Sequence, residues 1–333
     1  MSLPSRVLVT GGAGYIGSHC CKALGEAGVQ PVVYDNLSRG HAEAVKWGPL
    51  VIGDLRDREL LLETLQREKI EAVIHFAALA YVGESVEKPL LYYDNNVGGM
   101  IALLDAMQQA DVNRIVFSSS CATYGVPQKL PIAEDTVQAP INPYGRTKLI
   151  CEWMLEDAAR SRDLHIAALR YFNAAGADPD GELGEQHFPE THLVPLAIMA
   201  AYGTGDPLKI FGTDYPTPDG TCIRDYIHVS DLAQAHLLAL DAISNDAGSL
   251  KLNLGTGTGT SVRQIADAVE QITGLKVPVI EAPRRAGDPP ELVACAKLSR
   301  EILGFNPQWS DIDQIVRDAA PWFAPDRNGV SRE

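Results

Sequence analysis

Short apolar runs at 31–35, 50–53, 72–77 and 114–119 alternate with stretches at 58–68, 89–110 and 144–160 whose apolar residues recur at helical spacing. An earlier run, Val7-Leu8-Val9, leads through a glycine cluster into a helical pattern from Tyr15 to Ala27, closed by Gly28. Strands that alternate with helices predict an α/β fold, a doubly wound parallel sheet covered on both faces, with ligands at the carboxyl ends of its strands. Beyond about residue 170 the pattern becomes irregular. A loop rich in Gly, Asp, Glu and Pro spans 174–192, followed by a helix at 193–203, a strand at 208–211, a helix at 231–243 and a strand-turn-helix at 250–273. The division expected is 1–173 for a dinucleotide-binding domain, with strand contributions from later segments. A smaller mixed α/β substrate domain is expected over 174–333, ending in a polar tail at 324–333.

The first glycine cluster carries the strongest local signal. Gly11, Gly14 and Gly17 supply a turn with unusual dihedrals, a bare backbone for a pyrophosphate and close packing of helix on strand. Asp35 closes the next apolar run at the spacing expected of an acid that accepts from ribose hydroxyls, which favours NAD over NADP. Arg39 lies close enough to soften that preference. Asp54 follows the third strand and reads either as an acceptor for the adenine amino group or as a helix cap. Ala77 and Ala78 follow the fourth strand, small enough for a cofactor to approach, and Ser118-Ser119-Ser120 closes the fifth.

Tyr144 and Lys148 stand one helical turn apart on one face, just after Pro140 and Pro143. A phenol is a poor base at neutral pH, but an ammonium one turn away, beside a positive nicotinamide, favours the phenolate and lowers its pKa. Ser120 then shares the proton. A second glycine cluster, Gly255 to Gly259, lacks the first one's spacing and a following acid, so it reads as a turn and a helix cap at Thr260 or Ser261.

Composition narrows the partners. The net charge of −15 over 333 residues argues against nucleic acid or an anionic membrane surface, leaving single arginines such as Arg224, Arg284 and Arg285 as candidates for a diphosphate. The six cysteines are scattered without paired spacing, which fits reduced thiols in the cytoplasm, and no leader or membrane-length apolar run is read. His75, His187, His192 and His228 show no metal-ligand spacing, so no metal is expected.

Together, Thr10-Gly11 through Gly17, Gly83-Glu84-Ser85-Val86, Tyr93-Asp94-Asn95-Asn96, Tyr144 to Lys148, Arg170-Tyr171-Phe172-Asn173, Phe211 to Thr217 and Arg224-Asp225-Tyr226-Ile227-His228-Val229 resemble the UDP-glucose 4-epimerases. These are extended short-chain dehydrogenases/reductases with a Rossmann-type sheet, and the resemblance runs from about residue 6 to 305. It implies tightly held NAD, a homodimer formed through the helices at 89–110 and 144–160, and reversible inversion at C4 of UDP-glucose and UDP-galactose. In such enzymes hydride leaves C4, the 4-keto sugar rotates, and hydride returns to the other face. The resemblance makes Tyr144 the base, has Ser120 orient the 4-hydroxyl, and has Lys148 tune Tyr144 and hold the nicotinamide ribose. It adds Tyr15, Ile16, Asn36, Leu55, Phe76, Asn95 and Tyr171 to the cofactor contacts. To the substrate it assigns Asn173, His192, Lys209, Ile210, Phe211, Arg224, Arg285 and Asp288. Leu292 stands where strict hexose epimerases carry tyrosine, which implies room for N-acetylated UDP-hexosamines.

Three rival readings share parts of this pattern. A 4-epimerase of UDP-glucuronate or a UDP-pentose uses the same C4 chemistry. A nucleotide-sugar 4,6-dehydratase needs an Asp-Glu pair after the serine-ended strand, where this chain has Cys121-Ala122-Thr123. A noncatalytic NAD-binding sensor would not need the tyrosine-lysine pair.

Overall fold

Alternating strands and helices make up most of the structure, a computed structural model that describes residues 3–285 and 288–325; residues 326–333 of the expected polar tail lie outside the described residues. The first elements are β1 (Arg6–Thr10), α1 (Tyr15–Glu26), β2 (Gln30–Asp35), β3 (Leu50–Ile52), α2 (Arg58–Arg67) and β4 (Ala72–His75). Then come α3 (Val82–Glu87), α4 (Pro89–Tyr92), α5 (Gly99–Gln109), β5 (Arg114–Ser120), α6 (Pro143–Ser161) and β6 (His165–Tyr171). The chain continues through β7 (Asn173–Ala175), α7 (Leu193–Tyr202), β8 (Leu208–Phe211), β9 (Ile223–His228), α8 (Val229–Ser244) and β10 (Leu250–Leu254). It closes with β11 (Gly259–Ser261), α9 (Val262–Thr273), β12 (Val279–Ala282), β13 (Glu291–Leu292), α10 (Lys297–Leu303) and α11 (Ile312–Ala319).

Two compact units emerge among the described residues: 3–171, 232–254 and 295–306 form the first, and 172–231, 255–285, 288–294 and 307–325 the second. The first holds a seven-stranded, wholly parallel sheet in the order β10-β6-β5-β4-β1-β2-β3, a Rossmann-type arrangement. The order reverses between β1 and β4, which opens a crevice at their carboxyl ends. Val7, Leu8 and Val9 are fully buried, as strands covered on both faces require. Leu8, Val32, Val73, Met100, Leu103, Ile115, Phe117 and Leu155 form one continuous core.

Three departures from the pattern reading are local. The strand read at 72–77 ends at His75, because Phe76 N and Ala77 N both turn to the Thr10 carbonyl. The helix read at 89–110 is broken into α4, a π-helical turn at Tyr93–Gly98, and α5. Periodicity does not reveal this turn, because apolar spacing persists through it. Val82–Glu87, read as no element, is helical.

The second unit pairs β9 with β7, β11 and β13, and β8 with β12. Its core is built by α7, α9 and α11 through Ile198, Ile265, Val269, Ile315 and Val316. Ser261 caps α9 with a full capping box, so the second glycine cluster is the turn and cap that its spacing implied. Among the described residues no helix is long and apolar enough to cross a membrane.

Candidate functional site

The crevice beside β1 is lined by backbone that no side chain could share. Gly11 adopts φ +72°, and a Cβ there would lie 2.6 Å from Ala77 N; a Cβ at Gly17 would lie 2.2 Å from the Gly11 carbonyl oxygen. Gly14 ends the turn at the N-terminus of α1, without a side-chain cap, so the first amides of the helix stay open to an anion. Tyr15 and Ile16 form the first helical residues.

At the end of β2, Asp35 is only 8% exposed. Its carboxylate accepts from Ala13 N at 3.1 Å and Leu37 N at 2.9 Å, which leaves lone pairs for two hydroxyls. Burial raises its pKa against those bonds. Arg39 turns away onto Glu84, with both carboxylate oxygens within 3.1 Å of Nη2. The bare turn, the buried acid and the small Ala77 and Ala78 together fit a dinucleotide with free ribose hydroxyls.

Asp54 Oδ1 accepts from Arg56 N and Nε, and Oδ2 from Arg56 Nη2 and Asn36 Nδ2, all at 2.8–3.1 Å. Arg56 and Asn36 thereby hold the Asp54 carboxylate at the end of β3, where it stays part-exposed. The Arg56 guanidinium holds Asp54 far below the ordinary carboxylate range. Asp54 orders Asn36 and the chain entering Leu55, which packs in the core.

Beyond the fourth strand, Phe76 lies against His236 with ring centroids 4.7 Å apart. Asn95 Nδ2 donates to Asn96 Oδ1, and Asn96 is the residue sequence reasoning missed here. Its side chain accepts from Leu79 N and donates to Leu79 O and Thr147 Oγ1 at 2.9–3.0 Å, joining the loop after β4 to α6. The π-helical turn aims it, which no linear pattern conveys.

The end of β5 and the start of α6 meet as the spacing predicts. Asn142 accepts from Gly145 N at 2.8 Å and Pro143 takes the first helical position, so α6 begins one residue before Tyr144. Ser120, Tyr144 and Lys148 are 7%, 9% and 3% exposed. Lys148 Nζ donates to the Ser118 carbonyl at 2.7 Å and lies 5.8 Å from the Tyr144 ring centroid. Ser118 Oγ and Tyr171 OH are 2.6 Å apart.

Burial pushes Tyr144 above the ordinary phenol range, with nearby Tyr171 adding to it and a hydrogen bond with Ser120 opposing it. Burial also brings Lys148 down to about 8. The lowering expected at Tyr144 is tied to Lys148 and a positive nicotinamide together.

In the second unit, Arg224 Nη2 donates to Asp288 Oδ1 at 2.5 Å and to Pro289 O at 2.9 Å, and Arg224 lies in register with Leu292 of β13. The Arg285 guanidinium sits 4.0 Å from the Phe211 ring centroid, and that of Arg284 4.2 Å from Tyr215. Cys222 Sγ reaches Asp288 at 3.7 Å. Phe211, Arg224, Arg285, Asp288 and Leu292 thus belong to one linked surface. Lys209 is exposed and Ile210 buried, as alternation along β8 demands. Asn173 opens β7 in register with Tyr226 of β9.

His192 precedes α7 and is drawn into a cluster that was not anticipated. Its Nδ1 lies 2.5 Å from Glu185 Oε1, and His187 Nδ1 lies 3.0 Å from the same oxygen. Glu190 Oε1 caps the turn by accepting from the Thr191 and His192 amides at 2.7 and 2.8 Å. The ligand-type atoms of Glu185, His187, Glu190 and His192 lie within 4.8 Å of one another. Buried Glu185 pushes the His192 imidazole up against the effect of burial, and its own carboxyl is held down by the two imidazoles. Ion pairing satisfies the group as it stands.

A parallel sheet with a glycine turn at its switch point, a buried acid after β2 and a serine, tyrosine and lysine gathered at β5 and α6 defines an NAD-binding Rossmann-type protein. The chain belongs to the NAD dependent epimerase/dehydratase family, whose model matches residues 7–255. It is 53% identical to a UDP-glucose 4-epimerase of Rhizobium meliloti (strain 1021), over 98% of this chain and 99% of that protein. The solved UDP-glucose 4-epimerase from Brucella ovis in complex with NAD is 59% identical, with a TM-score of 0.95 over 96% of this chain and 98% of that one. A third, from Stenotrophomonas maltophila with bound NAD and formylated UDP-arabinopyranose, is 44% identical, with a TM-score of 0.93 over 96% and 98%.

Proposed function

We propose that the protein is a UDP-glucose 4-epimerase, interconverting UDP-glucose and UDP-galactose with retained NAD. The observation that carries the reading is the meeting of Ser120, Tyr144 and Lys148 at the end of β5, within the unit that holds the glycine turn. Bound NAD supplies a reversible hydride acceptor for sugar C4. Tyr144 Oη takes the proton of the 4-hydroxyl, and Ser120 Oγ orients that hydroxyl. Lys148 holds a positive charge under the phenol and is assigned to the nicotinamide ribose. Gly11, Gly14, Tyr15, Ile16 and Gly17 are assigned to the pyrophosphate and Asp35 to the adenosine ribose. Asn36, Asp54, Leu55, Phe76, Ala77, Ala78, Asn95 and Tyr171 are assigned to the rest.

Inversion requires hydride to leave one face of sugar C4 and return to the other, with Tyr144 within reach of O4 in both orientations. The protein must therefore hold the nucleotide and leave the hexose free to turn, which is the role given to Asn173, His192, Lys209, Ile210, Phe211, Arg224, Arg285 and Asp288. Arg224 is suited to it, since its guanidinium is already paired with a carboxylate that a diphosphate can displace or join. On this reading residues 1–173 serve chiefly NAD and 174–333 chiefly the UDP-sugar. Leu292, only half-buried beside Arg224, favours a second reading in which N-acetylated UDP-hexosamines also turn over. A homodimer is supported by Val82, Val86, Leu90, Leu91, Ile101 and Trp153, large apolar side chains left exposed on α3 to α6. A cytoplasmic location is in keeping with free cysteines throughout.

Purified protein given UDP-galactose without added NAD should yield UDP-glucose. No conversion, even with NAD supplied, would overturn the reading and bring UDP-glucuronate and UDP-pentoses forward.

A further inference from the structure

Helix α6 presents a third residue on the face that carries Tyr144 and Lys148. Glu152 follows Lys148 by four positions, about 40° further round the helix. It is 1% exposed, and its carboxylate meets two neighbouring strands. Ser119 Oγ donates to Oε1 at 2.5 Å; Arg170 Nε donates to Oε1 and Oε2 at 3.0 and 3.2 Å, and Nη2 to Oε2 at 2.6 Å. Ser119 of β5 and Arg170 of β6 are cross-strand partners, and Arg170 is in turn the partner of Asn253 on β10. These three form one polar row across the sheet, directly behind the row Ser120, Tyr171 and Leu254 at the strand ends.

The same row fastens the loop between β5 and α6. Arg170 Nη1 donates to Tyr124 OH at 2.9 Å and to the Glu134 carbonyl at 3.2 Å. Asn253 accepts from Tyr124 OH at 2.7 Å, donates through its side chain to Ile132 O at 2.8 Å, and donates its amide to Glu134 Oε1 at 2.9 Å. Gln138 Nε2 completes Glu152 at 3.1 Å. A buried ion pair is a weak source of stability, since apolar residues of equal volume often serve as well. What this one supplies is geometry, because Ser119 lies between the two residues that Lys148 and Tyr144 contact.

We propose that Glu152, clamped by Arg170 and Ser119, is a positioning residue that sets Tyr144 and Lys148 against Ser120 and Ser118. The proposal rests on the reading of those residues as the reaction centre. Glu152 also contributes the negative charge that helps Lys148 keep its proton. The other groups facing Lys148 are Tyr144 and Cys151 of its own helix, His75 of β4, held neutral by burial, and the Phe117 ring and Ser118 carbonyl of β5.

The test is Glu152→Gln, which keeps the shape and removes the charge. For UDP-galactose, kcat should fall at least about tenfold while KM stays within about threefold. The pH at which NAD is lost on gel filtration should move down by about half a unit or more, because Lys148 loses a favourable charge and faces an unpaired Arg170. Parental kcat together with a parental NAD-retention profile, whatever the change in Tm, would overturn the proposal. Should Glu152→Gln not fold, Ser119→Ala removes only the tether to β5, and it should lower kcat about threefold at constant KM; parental kcat there would also overturn it. Should the parent protein not convert UDP-galactose, the substrate reading fails, and the NAD-retention profile still decides the clamp.

Discussion

The two sets of candidate residues are built on opposite plans. Around Ser120, Tyr144 and Lys148 the polar groups are buried to within a few per cent, and each is held by strand or helix backbone. Around Arg224, Arg284 and Arg285 the cations are more open and rest on replaceable partners, a carboxylate or an aromatic face. Proton transfer tolerates little error in position, because reacting atoms must stay within hydrogen-bond reach. Anion binding tolerates more, since a guanidinium exchanges one carboxylate for another charged oxygen at modest cost. The first region should therefore respond to substitution in kcat, and the second in KM.

The sharpest way to break this contrast is Tyr144→Phe. Loss of the hydroxyl should lower kcat by about 10²–10⁴-fold with NAD still retained, and unchanged turnover would remove Tyr144 as the base. Gly17→Ala comes next. Its Cβ would collide with the Gly11 carbonyl at 2.2 Å, so gel-filtered protein should carry little NAD and regain only part of its activity when NAD is added.

Arg224→Gln probes the open region. A lost charge-assisted contact of about 2 kcal/mol corresponds to a KM for UDP-galactose raised roughly tenfold to a hundredfold, with kcat within about threefold. A fall in kcat with KM unchanged would place Arg224 in the chemistry instead.

The smallest expected effect is on pH. Burial brings Lys148 down to about 8, so its ammonium form is lost as pH rises through that value. Activity of the NAD-loaded protein should accordingly fall as pH rises through that range. A plateau to much higher pH would mean that bound NAD and substrate restore the ordinary lysine value.

Much of this site is legible along the chain because it is written in local terms. Glycines at 11, 14 and 17 and the Tyr144 to Lys148 spacing are each contained within one turn or one helix, where the period of the backbone fixes which residues are neighbours. The same holds for the inner strands of the parallel sheet, whose apolar runs follow from burial on both faces. β7, β11 and β13, of two or three residues, are too short to carry a period, and the π-helical turn at 93–98 keeps the apolar spacing of the helix that it interrupts.

What folding alone decided is who pairs with whom over long separations. Asp54, read as an adenine acceptor or a helix cap, meets Asn36 from across 18 residues. No linear spacing shows that the buried Glu185 carboxylate draws in the imidazoles of both His187 and His192. Ser119, Glu152, Arg170 and Asn253 become one row only because β5, β6 and β10 lie side by side with α6 across them. Local sequence determines periodicity and turn chemistry, since these act within a few bonds. Hydrogen-bond partners in a desolvated interior are chosen by the packing that brings distant segments together, and that choice exists only in the folded chain.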